Sequence, residues 1–76
     1  MDTLKKVQEM LADQLGVSVD SITEDKEIVK DLGADSLDVV EMLMNLEETY
    51  SVSIPDDKAM EIKTVGDVVT AIDELL

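Results

Sequence analysis

The sequence contains no cysteine, no histidine, no arginine, no tryptophan and no phenylalanine; Pro55 is its only proline and Tyr50 its only aromatic residue. Without cysteine there is no disulfide staple, no thiolate metal ligand and no thiol chemistry from the chain itself, which suits a reducing compartment. Without histidine the usual general base is missing. With Tyr50 the lone aromatic, the core has to be built from Leu, Ile, Val, Met and Ala, a palette that favours helices over strands. Positive charge is scarce as well: six lysines stand against nineteen acids, for a formal net charge of −13. Such a surface repels nucleic acid and anionic lipid, and draws basic partner surfaces in an association that salt weakens. No stretch approaches the ~18 to 20 apolar residues of a membrane span, and the N-terminus has no long apolar run. The expectation is a soluble chain without membrane insertion, cytoplasmic in a bacterium or in an organelle matrix after processing.

What is present is 76 residues, enough for a thin core and too few for a second lobe or an enclosed catalytic cavity. Residues 1–76 are therefore read as a single domain. From Asp2 or Thr3 to Gly16 the apolar residues Leu4, Val7, Leu11 and Leu15 recur at helical steps, with Gly16 placed as a stop. Residues 17–32 break the pattern: Val17, Val19, Ile22, Ile28 and Leu32 lie scattered among acids, Ser and Thr. They read as a long ordered loop pinned by apolar side chains, of a length uncommon unless functional. Residues 36–50 carry the strongest helical signal, with Asp35 as its N-cap, Ser36 at the first helical position and Asp38 at the third. After the loop 51–55, Asp56 is read as the cap of a short helix to about Ile62, and Thr64 as the cap of a last helix bearing Val65, Val68, Val69, Ile72, Leu75 and Leu76. The expected fold is all-α: a small four-helix bundle with three longer helices, a short third helix and a long loop between the first two.

At about 100° per residue, Val39, Met42, Leu43, Leu46 and Tyr50 share one arc of the central helix, expected to face the core, with Asp38, Glu41, Asn45 and Glu48 opposite. Between the arcs Leu37, Val40 and Met44 make an apolar shoulder flanked by Glu41, Glu47 and Glu48. An arbitrary helix would use such a shoulder to widen its buried stripe. A chain this small cannot cover it all, so an apolar strip edged by acids reads as a docking surface for a basic partner. The acidity is local: eight acids and no lysine lie between Lys30 and Lys58.

Ser36 could be a nucleophile, a helix cap or a site of modification. Nucleophilic catalysis needs a base nearby; there is no histidine, and the lysines sit in other segments, so an enzyme is not expected. Its surroundings give more. The octet Asp31-Leu32-Gly33-Ala34-Asp35-Ser36-Leu37-Asp38 resembles the signature of acyl carrier proteins, in which the serine carries 4′-phosphopantetheine. Glu41, Met44, Leu46, Glu47 and Glu48, the turn Ile54-Pro55-Asp56 and the stretch from Ile62 to Val65 look like the same family, so that the resemblance spans essentially the whole chain. It is nearest to the stand-alone carriers of dissociated fatty acid synthesis. A phosphodiester on Ser36 would sit near the positive end of a helix dipole with backbone donors at hand, and Gly33 and Ala34 are read as leaving room for a modifying enzyme.

The resemblance implies that a phosphopantetheinyl transferase uses coenzyme A and Mg²⁺ to attach the arm to Ser36, and that acyl groups then ride on it as thioesters to enzymes of fatty acid biosynthesis. It implies Asp35, Asp38, Glu41, Glu47 and Glu48 as contacts for basic patches on those enzymes, with Leu37, Val40 and Met44 as the apolar part, and a monomer. It implies an acyl pocket drawn from Leu46, Ile54, Ala59, Ile62 and Ile72, all of which are also ordinary core residues. The pattern breaks at Lys30 and Ser53, where family members place acids that help form weak cation sites; no metal is assigned, although Asp31, Asp35 and Asp38 could gather Ca²⁺ or Mg²⁺ loosely. Lys58 and Lys63 make the third helix less acidic, and Gly66 is read as easing the turn after Thr64. Carriers for polyketide, nonribosomal peptide or D-alanine transfer share these features, and an acidic helical adaptor in which Ser36 is merely a cap is the reading outside the family. A calcium sensor is excluded, since no twelve-residue acidic calcium loop is present.

Overall fold

Asp2 and Gly16 mark the two ends of the first helix, α1 (Thr3–Leu15), in a computed structural model that describes residues 2–76. The Asp2 carboxylate accepts the Lys5 N–H, and Gly16 takes the left-handed conformation at φ 69° that a residue with a Cβ rarely adopts. A 3₁₀ turn at Val19–Ser21 interrupts the long loop; then come α2 (Ser36–Tyr50), the short α3 (Asp56–Glu61) and α4 (Val65–Leu75). The expected four-helix architecture is the observed one. Among the described residues the only β-type pairing is an isolated bridge between Glu27 and Thr64.

Val7 and Leu11 of α1, Met42 and Leu46 of α2, and Val65, Val68 and Ile72 of α4 form the core with Ile22 and Ile28 from the loop. A buried aliphatic side chain of this size contributes about 1.5–3 kcal/mol, so two of them suffice to anchor a loop. Backbone bonds tie the loop down further: Ile28 N–H donates to Lys63 O at 2.9 Å, Val65 N–H to Lys26 O at 3.0 Å and Gly66 N–H to Glu24 O at 2.9 Å. The loop is thereby stitched to the junction of α3 and α4. A side chain on Gly66 would place its Cβ 3.2 Å from Glu24 O. Gly66 therefore serves this close approach, not the turn after Thr64. Val17 and Val19, expected to pin the loop, are exposed; Ile22, Ile28 and the backbone do that work.

Two further expectations change. Asp56 is the first residue of α3 and Pro55 occupies the cap position, with no side-chain cap at all. Leu76 lies beyond α4 and is exposed. Thr64 caps α4 as expected, in a reciprocal box in which Thr64 Oγ1 accepts the Asp67 N–H at 3.1 Å and Asp67 Oδ2 accepts the Thr64 N–H at 3.0 Å. On the core arc of α2, Met42 and Leu46 are buried while Val39, Leu43 and Tyr50 are partly so. The Tyr50 hydroxyl is enclosed without a hydrogen-bond partner among the described residues, and burial followed by the charges of Asp73 and Asp2 raises its pKa.

Candidate functional site

Each residue of the octet has a distinct local task that ends in the presentation of Ser36. Asp31 Oδ2 accepts the Glu27 N–H at 2.8 Å and closes the turn before it. Leu32 is partly buried against the core. Gly33 turns the chain at φ 76°, in a place where an added Cβ would meet no atom within 4 Å. Its requirement is conformational. Ala34 follows it into the core at 3% exposure, its N–H donating to Ile28 O at 3.2 Å. Ala34 is thus an anchor, not open space for an approaching enzyme; only Gly33 is sterically free.

Asp35 then caps α2 in a second reciprocal box: its Oδ1 accepts the Asp38 N–H at 2.9 Å, and Asp38 Oδ2 accepts the Asp35 N–H at 3.1 Å. The box turns both carboxylates onto the backbone and leaves Ser36 exposed on the first turn. The N–H groups of Ser36 and Leu37 have no acceptor inside the helix, because the first turn of any α-helix lacks a preceding carbonyl. Across the bundle Gln14 Nε2 donates to Asp38 O at 2.6 Å and fixes that turn against α1. The sequence offered no signal for Gln14 beyond its place one turn after Leu11.

Further along α2, Leu37, Val40 and Met44 are 63%, 50% and 61% exposed, so the shoulder is not covered by the fold. Asp35, Glu41 and Glu48 are exposed beside it, while Asp38 and Glu47 are partly buried. An open cleft of about 310 Å³ runs between α2 and α3, lined by Val40, Leu43, Met44 and Glu47 on one side and Ile54, Asp56 and Ala59 on the other. Of the five residues expected to line an acyl pocket, Ile54 and Ala59 face this cleft. Ile62 lines separate clefts, one beside Val29 and Val39 and one beside Ala71. Leu46 and Ile72 are fully buried in the core. Asp31, Asp35 and Asp38 do not converge: no group of three acidic side chains among the described residues could hold a metal ion.

An exposed hydroxyl on a helix N-terminus, two first-turn donors without an acceptor in the helix and open space at Gly33 fit a covalently attached phosphodiester, whose oxygens accept from such donors. Residues 5–72 match the family described as phosphopantetheine attachment site, and the chain belongs to it. Members of that family carry covalently attached 4′-phosphopantetheine, are modified by phosphopantetheinyl transferases, and act as carriers that interact with enzymes, not as enzymes themselves. The particular fold is that of the acyl carrier proteins. A candidate acyl carrier protein from Mycobacterium tuberculosis matches with a TM-score of 0.92 at 29% identity, covering 99% of this chain and 100% of that one. An acyl carrier protein from Enterococcus faecalis matches with a TM-score of 0.83 at 32% identity, covering 97% of this chain and 94% of that one.

Proposed function

We propose that Ser36 is the attachment point of 4′-phosphopantetheine and that the chain carries acyl intermediates of fatty acid biosynthesis as thioesters on that arm. The observation that supports it most directly is the exposed Ser36 hydroxyl on the first turn of α2, inside the octet and within the family match. The chain's own part is to present, to be recognised and to shelter. Presentation comes from the Asp35–Asp38 box and Gly33. Recognition comes from Leu37, Val40 and Met44, whose apolar contact supplies affinity, and from Asp35, Asp38, Glu41, Glu47 and Glu48, whose charge steers basic docking patches on partner enzymes. Shelter comes from the cleft between α2 and α3, whose apolar lining favours an alkyl chain over an aminoacyl group and supports the fatty acid assignment over peptide or D-alanine transfer. All of this work takes place in the bacterial cytoplasm.

The test is to incubate the purified protein with coenzyme A, Mg²⁺ and a broad-specificity phosphopantetheinyl transferase and to compare intact masses of wild type and Ser36→Ala. A pantetheinyl-sized gain confined to wild type is expected. Folded, unmodified wild type that gains no mass would reduce Ser36 to a helix residue and leave an acidic adaptor.

A further inference from the structure

Glu47 is the centre of the turn between α2 and α3. Its carbonyl accepts the N–H of Ser51 and, at 3.1 Å, that of Val52. Its side-chain Oε2 accepts the Ile54 N–H at 2.8 Å. Three of the four residues that follow the helix thus donate to one residue, and the contact with Ile54 is the only one of the three that a side-chain change can remove. The turn needs such help. Ser51 sits at φ 54°, a left-handed conformation that costs a residue with a Cβ free energy. Beyond Ile54, α3 has six residues, none of them buried, and no side-chain cap. Its one ion pair among the described residues, Lys58 to Glu74 at 2.6 Å, joins solvent-exposed groups, a kind of contact that contributes little.

Ile54 is the one buried residue of this segment, with Val52, Ala59 and Ile62 packed partly buried against the core, and together with Asp56 and Ala59 it forms the α3 wall of the cleft; Glu47 stands in the opposite wall. We propose that Glu47 is the positioning residue of that cleft: by holding the Ile54 N–H, its carboxylate sets how closely the α3 wall approaches α2, and it does so by reach, not by charge. That the cleft shelters an acyl chain rests on the carrier reading above; the clasp itself is a property of the unmodified chain. Glu47 differs in this from Glu41 and Glu48, which are exposed and take no part in the bonds that hold the turn.

Two substitutions separate reach from charge without truncating the side chain to a methyl. Glu47→Gln keeps the acceptor at the same distance and removes the charge. Glu47→Asp keeps the charge and withdraws the acceptor by about 1.5 Å, one carbon–carbon bond. Amide hydrogen exchange on the unmodified proteins should show Ile54 and residues 59–61 exchanging about tenfold faster in Glu47→Asp, the upper end of the loss expected for one hydrogen bond. They should stay within about twofold of wild type in Glu47→Gln, with Leu46 and Ile72 unchanged in both. No acceleration in Glu47→Asp, equal acceleration in both variants, or equal acceleration of the core amides would overturn the clasp. A solvatochromic acyl-pantetheine probe loaded on Ser36 then reads the cleft: its emission should shift to the red in Glu47→Asp alone, and unchanged emission overturns the role of Glu47 in the cleft. Failure of wild type to accept the probe sinks the carrier reading and leaves the exchange result standing.

Discussion

Gln14 and Asp38 lie 24 residues apart in sequence and meet at 2.6 Å, the side-chain amide of one donating to the backbone carbonyl of the other. That contact fixes the first turn of α2, and with it Ser36, to α1. Gln14→Ala should lower stability by about 0.5–1.5 kcal/mol, the net worth of one hydrogen bond. It should also slow pantetheinylation of Ser36 at subsaturating transferase. Urea denaturation and a time course of intact mass measure the two effects; an unchanged modification rate alongside the lost stability would show that the contact supports the fold alone.

Gly33 makes a second, separable demand. At φ 76° with no atom near an added Cβ, substitution there meets strain but no clash. Gly33→Ala should therefore cost about 1–2 kcal/mol, and Gly33→Asn distinctly less, since Asn tolerates the left-handed region. Equal losses in urea denaturation would point to crowding in place of backbone strain.

Asp67 carries a pH dependence with a definite sign. Backbone N–H groups of Thr64 and then Lys63 bond its carboxylate and hold its pKa below the ordinary aspartate value of 3.8. A depressed folded pKa gives stability that is fully present above the unfolded value of about 3.9 and is lost as the pH falls through the folded value. The stability difference between wild type and Asp67→Asn should be flat, at about 1 kcal/mol, from roughly pH 5 to 8, and should shrink below about pH 4. The difference is the quantity to follow, because acidification also relieves the self-repulsion of a chain at −13 and moves the raw curve the other way.

Much of this was legible beforehand, and the boundary falls at a physical line. The α2 limits, the Asp35 cap and the Thr64 cap follow from local rules, a short side chain reaching a donor three residues on, and the sequence states them. What it could not state depends on chain segments far apart. Gln14 looks like any polar helix residue until Asp38 O is brought to it. Gly66 reads as a turn aid until Glu24 O is seen against it. Glu47 belongs by spacing with Glu41 and Glu48, and only the path of the chain after Tyr50 turns its carboxylate to Ile54 N–H. The exposure of Val17 and Val19 is not legible either, because apolar residues in a loop have no periodicity to tell which of them face inward.

Recognition along α2 should be distributed. Exposed ion pairs contribute about 0–1 kcal/mol each, so Glu41→Lys and Glu48→Lys should each weaken association with a basic partner enzyme modestly, and the double variant about tenfold at low salt. The loss should lie mainly in the association rate and fade as ionic strength rises. Stopped-flow binding at two salt concentrations tests this, and a double variant no weaker than either single one would place the docking contact elsewhere.

The stitching of the loop to the α3–α4 junction has a consequence for synthesis. Ala34 hangs from Ile28, Ile28 from Lys63, and the neighbouring loop carbonyls of Glu24 and Lys26 take their donors from Gly66 and Val65. A ribosome that has made the octet and all of α2 has therefore produced Ser36 but not the residues that fix the approach to it. The approach to the serine is thus complete only once residues 63–66 have been made, and not when the octet and α2 stand alone.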